Sequence, residues 1–373
     1  MKKGLLTLLV FAVTISCSSG QNEKPTTLKE AYKDYFYIGA AVNTSQYMEQ
    51  DERAKPILET QFNSITPEND LKWERIHPEL DVYDFEGPDK YVEFGVKNNM
   101  FIIGHTLVWH SQTPNWVFED ENGNPLTRDA LLARMKDHIT TIVTRYKGKI
   151  NGWDVVNEAL NEDGSMRESK WYNIIGPDFI EKAFEYAHAA DPDAELYYND
   201  YNLYNAAKAD GAVRLVKSIQ EKGIHVTGIG MQGHYSINGN PKPEEVEASI
   251  IKFGELGVVA VTELDVDVLP PAFEYMGAEI SMRAELRDEL NPYTERMPDS
   301  IKQAQINSFV DYFNIYLKHF DKINRVTTWG VTDGDSWKNG WPVSGRTNYA
   351  LLFDREGNEK EVVNVLMELP SKK

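Results

Sequence analysis

The sequence is almost free of cysteine. Among its 373 residues the only one is Cys17, at the end of an apolar leader, so no intramolecular disulfide is available to hold the fold. It also lacks HExxH and CxxC spacings, and with them the usual signal for metal catalysis; no metal and no cofactor are expected. No basic stripe interrupts a formal net charge of −19, which argues against a nucleic-acid partner because so acidic a surface repels phosphate. From residue 28 onward there is no Gly/Ser-rich linker, no low-complexity block and no shift of composition, so one domain is the simplest organisation. What is present suits a globular protein: a chain of this length that is 41% hydrophobic can bury a real core. Its 11% aromatic content, with eight Trp and nineteen Tyr, suits stacking against sugar rings, which as neutral ligands escape the charge repulsion.

The first twenty residues, "MKKGLLTLLVFAVTISCSSG", join two lysines to an apolar stretch from Leu5 to Ile15 and then small residues. That is the layout of a secretory signal rather than of a spanning helix, so the protein is expected to be exported. The segment resembles a bacterial lipoprotein signal, in which Cys17 becomes the lipidated first residue; Thr14 departs from that pattern, since a larger aliphatic is usual there. The expected divisions are a signal peptide at 1–17, a polar tether at 18–27 and the folded domain at 28–373. A lipid anchor would be the only link to a membrane, on the periplasmic or the outer face; without it the chain would be secreted.

Apolar, strand-like runs recur at 35–42, 62–69, 100–110, 150–158, 194–202, 225–234, 258–266 and 326–333. Between them lie helix-period segments, the clearest at 128–146, 179–190, 206–222, 243–255 and 301–320. Eight strands alternating with helices predict an α/β fold, a (β/α)8 TIM barrel. The alternative, a doubly wound open sheet, lacks its glycine-rich phosphate turn after the first strand. Residues 269–300 form a long connection after the seventh run, and a loop of that length is commonly functional or mobile.

In a barrel the active site lies at the C-terminal ends of the strands. Here those ends are polar or aromatic: Glu68 and Asn69, His105 with Trp109 and His110, Asn157 and Glu158, Asn199 with Tyr201, Gln232 with His234, Glu263 with Asp265, and Trp329. Buried polar groups are costly, so their concentration there describes a site. Glu158 and Glu263 close the fourth and seventh strands, which face each other across a closed barrel. Two carboxyl groups aimed into one cleft are what glycoside hydrolysis needs.

"TPENDLKW" (66–73), "GHTLVWHSQTPNW" (104–116), "WDVVNEA" (153–159), "GIGMQGH" (228–234), "VTELDV" (261–266) and "TTWGVTDGDSW" (327–337) together resemble the endo-β-1,4-xylanases of glycoside hydrolase family 10. The resemblance runs from about residue 28 to the C-terminus, in the family's order. It implies a retaining double displacement on xylan and xylo-oligosaccharides, with Glu158 as general acid/base and Glu263 as nucleophile. It further implies that His234 links Glu263 to Asp265, and that Asn157 donates to the sugar 2-hydroxyl. Glu68, Asn69 and Lys72 would grip the next sugar on the non-reducing side, His105, Trp109 and Gln232 would line the reacting sugar's pocket, and Trp329 and Trp337 would form its floor and wall. Trp337 near Lys72 would leave little room for the hydroxymethyl group that glucose has and xylose lacks. Asp154, Asp265, Asn199 and Tyr201 are expected to support these residues, with direct contact least expected for the two aspartates.

Rival readings make different predictions. A barrel that only captures polysaccharide would show no turnover, an endoglucanase would prefer carboxymethyl cellulose to xylan, and a metal-dependent deacetylase would lose activity to chelators. A monomer is the default for an endo-acting enzyme that must meet a polymer.

Overall fold

Nine parallel strands carry the architecture of this computed structural model, which describes residues 24–238, 241–272 and 281–372. The proposed signal peptide, Cys17, most of the tether and residues 273–280 of the long connection lie outside the described residues. The strands are β1 (Tyr37–Val42), β2 (Ser64–Pro67), β3 (Phe101–Trp109), β4 (Gly152–Asn157), β5 (Glu195–Asp200), β6 (Gly228–Met231), β7 (His234–Ser236), β8 (Val258–Asp267) and β9 (Ile323–Thr328). They pair in the order β6-β5-β4-β3-β2-β1-β9-β8-β7, and β6 also pairs with β8, so all but β7 close into an eight-stranded barrel. The sequence predicts this fold, and the alternating pattern predicts it for a physical reason. Parallel strands covered on both faces read as near-continuous apolar runs, as the fully buried β2, β4 and β6 do.

One long helix follows each barrel strand: α1 (Ala54–Gln61), α2 (Glu86–Lys97), α3 (Arg128–Arg145), α4 (Phe179–Ala190), α5 (Ala206–Glu221), α6 (Pro243–Phe253), α7 (Asp299–Lys318) and α8 (Glu361–Glu368). Local chemistry sets their starts. The Thr127 hydroxyl caps the Ala130 N–H at the head of α3, and Pro298 with Asp299 starts α7 two residues before the expected 301. The segment of α2 is not among the clearest helix-period segments of the sequence, since Gly87, Pro88 and Gly95 lower its helical propensity. Buried Tyr91, Val92 and Phe94 hold it in place by packing.

The strands differ from the expected runs by a few residues at their ends, and two of these differences shape the site. The run at 326–333 becomes a strand at 323–328, since the chain leaves the sheet at Gly330, whose φ is 126°. Trp329 is thereby placed beyond the strand, at the mouth of the barrel. The run at 225–234 splits at Gly233, φ 82°, and the detached β7 pairs His234 with Asp265 of β8. Register shifts between Asp154 and Val156 in β4, and between Val261 and Leu264 in β8, break the strict alternation of each strand near its glutamate.

Candidate active site

A cleft of about 460 Å³ opens at the C-terminal ends of the barrel strands. Glu68, Asn69, Lys72, His105, Trp109, Asn157, Glu158, Tyr201, Gln232, His234, Glu263, Trp329 and Trp337 all line it. Asp154, Asn199 and Asp265 do not; each is buried and hydrogen-bonded to a residue that does. Gln112, Asn202, Arg283, Lys338 and Trp341 also line the cleft. Gln112 and Lys338 lie within or next to the motif segments, so proximity to a motif was the available signal for them. Arg283 sits in the long connection after β8, where no pattern singles out one residue.

Glu158 follows the last residue of β4 and takes a left-handed φ of 57°, uncommon for a residue with a side chain and costing about 1–3 kcal/mol. Its backbone is held on both sides: its N–H donates to the Asn199 carbonyl at 2.9 Å, and its own carbonyl accepts from Arg167 Nε at 2.9 Å. The carboxyl is fixed as firmly, with Trp109 Nε1 donating to Oε2 and Gln232 Nε2 donating to Oε1, each at 2.9 Å. Arg167 carries no motif signal in the sequence, yet it braces the turn that presents Glu158.

Glu263 has a different environment. Asn199 Nδ2 donates to its Oε1 at 2.8 Å, and His234 Nε2 lies 3.2 Å from its Oε2. The other ring nitrogen of His234, Nδ1, lies 2.9 Å from Asp265 Oδ2. Burial disfavours the His234 imidazolium, but the Asp265 and Glu263 carboxylates outweigh it and push its pKa up to about 9. At neutral pH both ring N–H groups therefore donate, one to each carboxylate. Burial likewise opposes ionisation of Asp265, but Lys338 at 3.5 Å and His234 hold its carboxyl below the usual range.

An amide relay joins the two glutamates. Asn199 Nδ2 also donates to Asn157 Oδ1 at 2.9 Å, and Gln232 Nε2 reaches the same oxygen at 3.3 Å. With its oxygen so occupied, Asn157 has its Nδ2 left to donate into the cleft. Thr262 Oγ1 donates to Asn199 Oδ1 at 2.7 Å, which fixes which end of that amide faces Glu263.

To one side lies a second group. Lys72 Nζ donates to Asn69 Oδ1 at 3.2 Å and Gln112 Oε1 at 2.9 Å, and stands 5.1 Å from the Trp109 ring centre. Burial lowers the Lys72 pKa against the opposing pull of Glu263, Glu68 and Glu158. Burial pushes the Glu68 carboxyl up to about 7, with Lys72 resisting. The aromatic walls are Trp329, edge-on to His105 at 5.2 Å, and Trp337, which stacks on Trp341 at 5.0 Å and donates from Nε1 to Asp265 at 2.9 Å.

The raised His234 pKa makes a stability prediction with a definite sign. The folded value, about 9, lies above the ordinary histidine value, so the stabilisation is fully present below about pH 6.5 and is lost as pH rises through 9. Urea unfolding of the parent and of His234→Gln should therefore differ most at pH 6, with the gap narrowing by ~3 kcal/mol by pH 10. A gap that stayed constant would mean that His234 is not the charged link described.

Residues 27–369 match the model of the family described as glycosyl hydrolase family 10. The chain is 46% identical to endo-1,4-beta-xylanase A of Xylanibacter ruminicola over 98% of its own length and 97% of the relative's. It is 43% identical to a beta-1,4-xylanase of Dictyoglomus thermophilum, covering 96% and 95%. Among solved structures it is similar to an endoxylanase retrieved from a sugarcane soil metagenome, with TM-score 0.87 and 44% identity over 93% of this chain and all of that one.

Proposed function

The chain belongs to glycosyl hydrolase family 10, and from that premise we propose that Glu158 and Glu263 together cut the internal β-1,4 bonds of xylan. It is an endo-1,4-β-xylanase that retains anomeric configuration. The observation that carries the residue assignment is the pairing of two cleft glutamates in unlike environments, joined by Asn157, Asn199 and Gln232.

Glu263, ionised between the Asn199 amide and the His234 imidazolium, attacks the anomeric carbon. The bond from that carbon to the leaving oxygen breaks as Glu158 gives its proton to the oxygen, and a glycosyl ester forms on Glu263. Consuming the Glu263 charge makes Glu158, now ionised, the base for water. Water loses a proton to Glu158 and attacks the same carbon, releasing Glu263 and restoring both starting states. Asn157 Nδ2 donates to the 2-hydroxyl, a contact that strengthens as the ring flattens toward an oxocarbenium ion. Glu68, Asn69 and Lys72 bind the neighbouring sugar, and the stacked Trp337 and Trp341 leave little room for a hydroxymethyl group.

The test is hydrolysis of beechwood xylan beside carboxymethyl cellulose by the chain starting after Cys17, with the first product followed by proton NMR. Initial β product from xylan and little release from cellulose are expected. Initial α product would overturn the covalent step, and equal release from both polymers would overturn the specificity.

We also infer export through the leader and lipidation at Cys17, supported by the lysine, apolar and small-residue order of residues 1–20. Partition of the exported chain into the aqueous phase of a detergent separation would overturn lipidation. The enzyme is read as a monomer, and a sedimentation mass twice that of the chain would correct this.

A further inference from the structure

Arg325 stands inside the barrel, where a cation needs a reason. It lies on β9, its side chain is wholly buried, and its guanidinium carbon is 4.4 Å from the centre of the Tyr197 ring on β5. Its Nη2 is 3.7 Å from Oδ1 of Asp154, which is itself buried on β4. The other oxygen of Asp154, Oδ2, is 3.0 Å from Nδ1 of His105, and His105 lines the cleft. A line of three buried groups thus runs from the wall of the barrel to the cleft.

The separation of 3.7 Å exceeds a good hydrogen bond, so Arg325 acts on Asp154 through charge at close range. A buried carboxylate without a counter-charge is strongly unfavourable, so its surroundings rearrange to relieve it. With Arg325 supplying the charge, Asp154 stays in place to accept from Nδ1–H of His105, which fixes the orientation of that ring at the cleft. The ring's orientation matters because His105 lines the pocket of the reacting sugar, where a small misplacement costs rate.

We propose that Arg325 is a positioning residue for the reaction. As the counter-ion of Asp154, it holds that carboxylate against His105 Nδ1 and so fixes the His105 ring that meets the reacting sugar. The proposal rests on the glycosidase reading above. It predicts that removing both charges does less harm than removing Arg325 alone.

The experiment uses a nitrophenyl xylobioside and compares the parent with Arg325→Met, Asp154→Asn and the variant carrying both. Arg325→Met should lower kcat about thirtyfold with KM changed less than about threefold, a loss in the transition state rather than in binding. The double variant should recover to within about fivefold of the parent, a coupling that independent sites do not show. A double variant slower than Arg325→Met would overturn the proposal, as would a loss in Arg325→Met that appears wholly in KM. Should Arg325→Met not fold, Asp154→Asn is compared with the double variant. Equal kcat then supports the charge role, and a further tenfold drop overturns it in favour of packing against Tyr197. An inactive parent would instead sink the glycosidase reading itself.

Discussion

Glu263→Ala is expected to lower kcat on xylan by about 10⁵-fold, the scale on which a covalent nucleophile acts when binding and electrostatics are left in place. Affinity for xylotriose should change only a few-fold, because the neighbouring sugar is proposed to be held by Glu68, Asn69 and Lys72, none of which the truncation alters. The truncation leaves Asn199 Nδ2 and His234 Nε2 facing the space that the carboxylate filled. Two donors around a small space suit a small anion, so azide should enter and attack from that face. Azide then displaces the leaving group with one inversion, Glu158 still supplying the proton, and the product is the α-glycosyl azide. Rate measurements on an aryl xylobioside with and without azide, with the product's configuration from NMR, decide the matter. A variant within tenfold of the parent would remove Glu263 from the role of nucleophile, and a β-azide product would assign the attacking face wrongly.

Why the glutamates were visible in the sequence and Arg325 was not has a physical explanation. Glu158 and Glu263 close long apolar runs, and a carboxylate at the end of a buried strand is costly enough to stand out. Asn157, Asn199 and Gln232 stand at similar strand ends, but their relay depends on bulges and on amide orientation. The register shift after Asp154 and the left-handed Glu158 arise from packing among neighbouring strands, and a period-two reading contains neither. Arg325 sits in "INRVTTW", an edge-like segment in which a basic residue reads as solvated. Only barrel closure, by pairing β1 with β9, places that side chain inside and opposite Asp154. Similarly, nothing local marks Arg167, whose partner carbonyls belong to Glu158 and Leu160 and whose other contact is the Tyr201 hydroxyl.

Glu158→Ala should show an effect whose size depends on the leaving group. Xylan leaves as an alkoxide unless protonated, so its hydrolysis should fall by about 10⁴-fold, the upper end of what a positioned acid contributes. A dinitrophenolate needs no proton to leave, so the first step on a dinitrophenyl xylobioside should be nearly unchanged. The second step still lacks its base, so the glycosyl ester on Glu263 should accumulate and appear in intact-protein mass spectrometry as a chain heavier by the bound sugar. Azide needs no base, and in the space left beside Gln232 and Trp109 it should restore turnover and give the β-glycosyl azide, the product of two inversions. The opposite azide configurations from the two variants would then assign each glutamate to one face of the sugar. Equal losses of Glu158→Ala on xylan and on the activated substrate, with no ester detected, would mean that Glu158 holds the substrate and transfers no proton.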